Sequence, residues 1–474
     1  MDNQRLILFF ALAIVTILLW EAWQREHTPV VSPSAPTANI SDAPALPPAA
    51  NSTAVPNSTA PGSNAAAVPP PPSTPGMTAA SPPPLQAGLN SAQRVIVKTD
   101  TFEIEFDSIG ADVRQAKLLQ YSESPEQRDK PFVLLSDRGQ YLFVAQSGLQ
   151  ANTQAPGVYT KAPDHHAVYT SPQSEYRLDP GSTELSVPFV WDSGDGFKVT
   201  KTYVFRPGSY VIDVTLRVDN QTGLPWQGRF YRQLQRDRED ASALVPTYIG
   251  GVIYSDAEKY EKIAFDDMDD ANLNRTVGGG WLAMIQHYFL GAWIPQANES
   301  NLFYSVALGN NRYVLGMVTD TKEIAANSSG DFSRTQLFIG PKVQSMLEKL
   351  APGLELTVDY GWLTVIAKPL FWLLSWSESI VGNWGWAIAI VTLIVKLIFF
   401  PLSAASYRSM ANMRKLQPKI AALRERYGDD RQRMSQAMME IYKKEKINPF
   451  GGCLPILIQI PVFIALYWVL LESV

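Results

Sequence analysis

Cysteine and histidine are scarce in this chain of 474 residues, which holds one cysteine, Cys453, and four histidines. A single cysteine excludes a disulfide framework and a thiolate metal cluster. The pair His165–His166 stands beside Asp164 in a polar stretch without a third ligand nearby, so we expect no metal site there. The HExxH, P-loop and GxSxG motifs are also missing, and we expect no metal or other cofactor.

Positive charge is not in general excess, because the net charge is −5, which argues against general nucleic-acid binding. Residues 28–92 hold Asp42 as their only charge and prolines throughout, which predicts an extended, semi-rigid linker. Before it, the apolar run 6–20 predicts a transmembrane anchor within residues 1–27. A cleaved signal peptide is the alternative, but no small-residue cleavage site follows the run.

Residues 93–345 alternate apolar and polar side chains in many short runs that end at Gly, Pro, Asn or Asp. Phe102, Ile104 and Phe106 fall on one face of such a run. This period of two predicts a large antiparallel β domain. The apolar stretch 278–295 is too short and too rich in glycine for a membrane span, so we expect it to be buried core.

Helical patterns follow from residue 346 onward. Residues 346–383 predict a linking helix and an amphipathic helix in the membrane interface, although a surface helix packed on the β domain is the alternative. The apolar stretches 384–402 and 451–474 predict two transmembrane helices.

Between these two spans, residues 403–450 carry eleven Lys and Arg residues. The spacing of Leu416, Ile420, Leu423 and Tyr427 is that of a coiled-coil seam. A second helix repeats the spacing, and Asp429 or Asp430 is expected to cap its start. Such a basic loop belongs in the cytoplasm. The β domain then lies on the other side, the periplasm in a bacterium, and the N-terminus is cytoplasmic.

Lys396 lies inside the predicted span 384–402 and is its most unusual residue. A cation at the centre of a spanning helix costs about 2.5–3.5 kcal/mol on insertion scales. Thr392 lies four residues earlier, on the same helix face, and Gln459 is polar within the second span. No Asp or Glu in either span is placed to neutralise Lys396. The side chain either reaches the headgroup region or faces a hydrated groove, and the residues alone leave both readings open.

The basic hairpin allows two readings as well. It either binds an anionic partner, such as ribosomal RNA, anionic lipid or a targeting factor, or its charges only set the topology.

Five motifs resemble the YidC family of membrane protein insertases in its Gram-negative form. They are LTVDYGWL (356–363), VGNWG (381–385), MRKLQPKI (413–420), RERYGDD (424–430) and NPFGGCLP (448–455). The resemblance implies a periplasmic β-supersandwich, an interfacial helix, a cytoplasmic hairpin and a helical core around a hydrophilic groove with one essential positive charge. It also implies three further spans after the last one seen here, so we expect the sequence to be a truncated one.

Carried over by position, the groove charge is Lys396, where the family usually has arginine, and Thr392 and Gln459 match groove-lining positions. The hairpin resembles the region that contacts ribosomes and targeting factors. The residues that match this contact region are Arg414, Lys415, Arg424, Arg426, Asp429, Asp430 and Arg431.

The resemblance therefore implies a membrane protein insertase and chaperone of the inner membrane, not an enzyme, working alone or with the Sec translocon. Its expected partners are nascent membrane proteins, Sec components, the ribosome and signal recognition machinery, and membrane lipids. The alternative is a membrane-anchored, carbohydrate-binding or mutarotase-like β domain. A channel or transporter subunit is a third reading, but nothing specifies a selectivity filter.

Overall fold

The computed structural model describes residues 89–474 except 125, 139–140, 240–246, 298, 428–429, 445–453 and 473–474. The side chains of 362, 424, 431 and 454–456 are also outside the description. The predicted anchor 1–27, most of the predicted linker and the predicted capping residue Asp429 therefore lie outside the described residues.

The described residues form nineteen strands and seven α-helices. The strands are β1 (Arg94–Lys98), β2 (Phe102–Asp107), β3 (Asp112–Ser122), β4 (Pro131–Leu135), β5 (Phe143–Ala151), β6 (Glu175–Arg177), β7 (Leu185–Asp192), β8 (Phe197–Phe205), β9 (Val211–Asn220), β10 (Trp226–Asp237), β11 (Gly250–Ser255), β12 (Lys259–Ile263), β13 (Asn274–Gly278), β14 (Gly280–Ile285), β15 (Phe289–Ile294), β16 (Ser300–Gly309), β17 (Arg312–Thr319), β18 (Lys322–Ile324) and β19 (Ser328–Pro341). The helices are α1 (Phe265–Asp270), α2 (Gln344–Leu350), α3 (Thr364–Val381), α4 (Trp384–Ile398), α5 (Phe400–Tyr427), α6 (Arg431–Lys444) and α7 (Leu454–Glu472).

The strands make two sheets that pack into a sandwich. The larger sheet has eleven strands in the order β13-β16-β17-β10-β5-β3-β2-β1-β6, with β18 beside β10 and β4 beside β3. The smaller has eight, in the order β12-β11-β14-β15-β19-β9-β8-β7. The described pairs are antiparallel except β1 with β6, which is parallel. The prediction of a large antiparallel β domain is therefore confirmed, with the parallel pair β1–β6 as a departure from it.

Alternating side chains of the strands fill the core between the two sheets. Phe102, Ile104 and Phe106 on β2 are fully buried, as their spacing predicts. The Phe106 ring lies 4.5 Å from that of Tyr203 on the facing sheet, measured between ring centroids. Each such side chain contributes about 1.5–3 kcal/mol through its burial.

The apolar stretch 278–295 is the hairpin of β14 and β15, and it belongs to this core as predicted. Trp281 and Trp293 are at most 1% exposed. Gly280, at the start of β14, has φ +143°, and a Cβ there would lie 2.2 Å from the Tyr254 carbonyl oxygen. Only glycine fits this position without moving the backbone.

A cluster of buried polar groups bridges the two sheets. The Lys201 Nζ donates to the carbonyl oxygens of Gly110 and Ser147, at 2.6 and 2.7 Å. The Asp112 carboxylate accepts from the Gln146 amide at 3.1 Å. Burial raises the pKa of Asp112 to about 6, although the positive charges of Arg114 and Lys201 oppose that rise.

The histidine pair of the sequence analysis lies beside this cluster. His165 is buried, and its Nδ1 lies 2.6 Å from the Tyr231 hydroxyl oxygen. Burial lowers the pKa of His165 well below its usual value. Among the described residues no group of three metal-ligating side chains comes together.

Helices α3, α4 and α7 pack together beside the β domain. Helix α3 contacts both α4 and α7, and its buried face carries Ala367, Leu370 and Leu374. Its opposite face is also mainly apolar, because Trp372 and Trp376 are exposed there.

Helix α4 is followed by α5 after a bend of 57°. By length and composition, no single helix in the described part of the chain is long and apolar enough to cross a bilayer, but α4 and α5 together are. Leu457–Glu472 is a shorter apolar helix.

Helices α5 and α6 form the hairpin. The side chains that the seam prediction selects on α5 are less exposed than their described neighbours, and Leu416 is buried. Asp430 caps α6 because its Oδ1 accepts from the backbone N–H of Arg433 at 3.0 Å.

Candidate functional site

A cavity of about 370 Å³ lies between α4 and α7. Its described lining residues are Lys396 from α4 and Gln459, Ile460, Phe463, Ile464 and Tyr467 from α7. The structure thus brings Lys396 and Gln459, which are distant in sequence, to one place. We call this space the α4–α7 cavity.

The spacing of the α7 residues explains why they share the cavity. Gln459, Phe463 and Tyr467 are four residues apart, so they stand above one another on one helix face. On α4, Val391 and Val395 are buried in the hydrophobic core. The next residue, Lys396, is therefore on the exposed side of the helix. Helix α3 contacts both helices.

Lys396 contacts an aromatic ring rather than a carboxylate. Its Nζ lies 4.9 Å from the centroid of the Phe463 ring. No ion pair joins Lys396 to an acidic side chain among the described residues. The contact is a cation–π interaction, in which the negative face of the ring attracts the ammonium.

The other two predicted groove residues differ in their placement. Gln459 is half-buried, and its Nε2 has no hydrogen-bond partner among the described residues. An unsatisfied amide in such surroundings is costly unless water or a ligand reaches it. Thr392 is half-buried one turn before Lys396 and is not among the described residues that line the cavity.

The end of α7 meets the β domain through a buried ion pair that no pattern in the sequence indicates. The Lys342 Nζ lies 3.3 Å from a Glu472 carboxylate oxygen, and the two side chains are 3% and 5% exposed. Lys342 also donates to the Thr357 carbonyl oxygen at 3.4 Å. Burial lowers the pKa of Lys342, and the Glu472 charge opposes that shift. We call this contact the junction ion pair.

The hairpin presents its charges outward. Arg414, Lys415 and Arg426 are exposed, and so is Asp430, which caps α6. The side chains of Arg424 and Arg431, and all of Asp429, lie outside the described residues. The predicted contact surface is therefore described in part, and its described members point into solvent.

Two family models match adjacent parts of the chain. Residues 94–373 match the YidC periplasmic domain, and residues 376–474 match the 60Kd inner membrane protein family. The chain belongs to the YidC family.

Curated relatives in this family match the whole chain. Membrane protein insertase YidC of Methylococcus capsulatus is 47% identical over 482 residues, which cover 100% of this chain and 82% of that protein. The proteins of the same name from Nitrosococcus oceani and Alkalilimnicola ehrlichii are 44% and 47% identical, over 100% of this chain and 83% and 80% of theirs. The resemblance inferred from the five motifs is thus confirmed.

Solved structures offer a more distant likeness. A galactose mutarotase related enzyme from Lactobacillus acidophilus is 8% identical and covers 52% of this chain and 97% of its own, with a TM-score of 0.34. A likeness this weak supports no inference about activity.

Proposed function

We propose that this chain is a membrane protein insertase and chaperone of the bacterial inner membrane, which inserts and helps to fold other membrane proteins. The observation that carries this proposal is the 47% identity, over the whole chain, to a protein named membrane protein insertase. The same observation disfavours the mutarotase-like alternative.

The α4–α7 cavity supports a mechanism for insertion. Lys396 is exposed in the cavity without an acidic partner among the described residues, so its charge is free to attract acidic residues of a short translocated segment. The cavity shortens the apolar distance that polar residues must cross. The hydrophobic helix of the substrate then moves into lipid, and the burial of its apolar surface drives the step. We assign Lys396, Thr392 and Gln459 to this groove.

The charge distribution supports an orientation. The exposed basic residues of α5 and α6 favour a hairpin in the cytoplasm, and in that orientation α4 and α7 lie in the membrane and the β domain in the periplasm. The exposed tryptophans of α3 suit a helix at the periplasmic membrane interface. The predicted anchor then starts in the cytoplasm.

Nascent membrane proteins are the substrates that this function requires. We further propose that the exposed cations Arg414, Lys415 and Arg426 of the hairpin contact the ribosome or a targeting factor, together with Arg424, Asp429, Asp430 and Arg431. Anionic phosphate is the partner that such an arrangement favours. Cooperation with Sec components and with membrane lipids belongs to the same proposal.

The role of Lys396 is tested with Lys396→Glu, Lys396→Ala and Lys396→Arg in the full-length protein. We expect insertion of a substrate with an acidic N-tail to fall at least tenfold in the Glu variant, less in the Ala variant, and little in the Arg variant. Lys368→Glu is the matched control, because Lys368 is an exposed lysine on α3 outside the cavity. Unchanged insertion in the Lys396→Glu variant would show that charge attraction is not the mechanism.

A further inference from the structure

The aromatic ring of Phe463 is the partner of Lys396 in the described structure, although the two residues belong to different helices. We propose that Phe463 is a positioning residue for Lys396. In this role the face of its ring keeps the ammonium at the α4–α7 cavity, where a substrate carboxylate can reach it. This inference rests on the proposed insertase function and adds a residue to it.

Lys396 needs such a partner because its side chain is long and, without the ring, has several orientations open to it. It lies in the last turn of α4, and Leu397 and Ile398 beside it are exposed. A lysine stem in that position is able to lie along apolar surface and carry its charge away from the cavity. A cation–π contact favours the lysine orientation that faces the ring over the others by about twofold at an exposed site and about thirtyfold at a desolvated one.

The neighbours of Phe463 do not supply an equivalent partner. Gln459 and Tyr467 lie one turn to either side on the same face of α7, and Gln459 has no aromatic ring. The Tyr467 ring makes no cation–π contact with Lys396 within the described residues. No hydrogen bond joins Lys396 to either of them within the described residues. Ile460 and Ile464 are apolar. Of the described lining residues, Phe463 therefore offers the negative electrostatic face that contacts the ammonium.

A ring suits this task better than a carboxylate would. An Asp or Glu at position 463 would neutralise Lys396 and compete with the acidic residue of the substrate. A ring attracts the cation without cancelling its charge, and a carboxylate binds an ammonium more strongly than a ring does. An arriving acidic residue therefore displaces the ring, and the ammonium returns to it after the substrate leaves. Phe463 sets the position of the charge without blocking it.

The test separates the ring from its volume. Phe463→Leu removes the aromatic face and keeps an apolar side chain, whereas Phe463→Tyr and Phe463→Trp keep the face. We expect Phe463→Leu to lower the insertion rate of an acidic N-tail substrate about two- to thirty-fold. A matched substrate with a neutral tail should change by less than about twofold. The Tyr and Trp variants should insert both substrates at rates close to the wild type.

A spectroscopic readout reports the contact itself. With ¹³C-methylated lysines, the Lys396 methyl signal, assigned by its loss in Lys396→Arg, should lie upfield because of the ring current. This shift should disappear in Phe463→Leu and persist in Phe463→Trp. Phe400→Leu is the control variant, because Phe400 is exposed on α5 outside the cavity.

Three results would overturn the inference. One is an equal loss with both substrates in Phe463→Leu, which would indicate a packing role. Another is an unshifted Lys396 signal in the wild type. The third is a Phe463→Leu effect of the same size in a Lys396→Met background. If Lys396→Glu inserts the acidic substrate normally, the proposed charge attraction itself is wrong. If Lys396→Glu loses insertion of the acidic substrate but Phe463→Leu behaves as wild type, the proposed function stands and the role of Phe463 is wrong.

Discussion

Lys342 and Glu472 are buried together where the β domain meets α7, and we expect the removal of one of them to loosen this junction more than the removal of both. In Lys342→Met the Glu472 carboxylate stays buried without its ammonium partner. Breaking a buried ion pair from one side costs about 3–5 kcal/mol, because an uncompensated charge remains. Replacing both partners by apolar residues is often neutral or stabilising by about 1–4 kcal/mol.

The burial of both partners supports a cost within that range for the single variant. The two side chains are 3% and 5% exposed, so water screens the charges little. Lys342→Met also removes the hydrogen bond to the Thr357 carbonyl oxygen, which is worth about 1 kcal/mol. A loss of about 3–5 kcal/mol shifts the equilibrium between docked and separated α7 by roughly a hundred- to several-thousand-fold.

Hydrogen exchange, measured by mass spectrometry on the full-length protein, reports how often α7 separates from the β domain, segment by segment. We expect faster exchange in the last turns of α7 and in residues 354–363 for Lys342→Met, and near wild-type exchange for the double variant Lys342→Met/Glu472→Leu. Lys349→Met serves as the control, because Lys349 is exposed on α2. Equal protection in the single and double variants would refute the assignment of a coupled pair.

Two further predictions concern the β domain. Gly280→Ala should lower the free energy of unfolding by about 2–4 kcal/mol, because its Cβ would meet the Tyr254 carbonyl at a positive φ. Thermal unfolding checks this, with Gly278→Ala, where a Cβ meets nothing within 4 Å, as the control that should stay near wild type. The pKa of Asp112 is about 6 in the folded protein, above its ordinary value of 3.8, so folding favours the protonated carboxyl. The stabilisation from this protonated form is therefore fully present below about pH 4 and is lost as the pH rises through 6. Relative to Asp112→Asn, the wild type should gain up to about 3 kcal/mol between pH 7 and pH 4 in chemical unfolding, and parallel curves would contradict this.

Local periodicity predicted much of the fold. The alternation of Phe102, Ile104 and Phe106 fixes which face of β2 is buried, because successive side chains of a strand point to opposite sides. The seam of the hairpin follows in the same way from helical spacing, and Leu416 is the buried member of it. Such patterns predict which residues of a single strand or helix are buried.

The candidate site was predictable only in part. Lys396 and Gln459 stand out because polar residues are costly in apolar stretches. Phe463 gives no comparable signal, since a phenylalanine in an apolar helix is ordinary. The junction ion pair joins residues 130 positions apart, and no local pattern relates them. Contacts of this kind depend on how the elements pack, which periodicity does not encode.

The tryptophans at the start of α4 bear on the depth of Lys396 in the membrane. Trp384 and Trp386 are 49% and 69% exposed, and exposed tryptophans of membrane proteins gather at the boundary between headgroups and hydrocarbon. Lys396 follows Trp386 by ten residues, a rise of about 15 Å at 1.5 Å per residue. The hydrocarbon layer of a bilayer is about 30 Å thick. In the proposed orientation, with the tryptophans at the periplasmic boundary, the backbone of Lys396 lies near the midplane, and a polar segment that reaches it from the cytoplasm has about half of the layer left to cross.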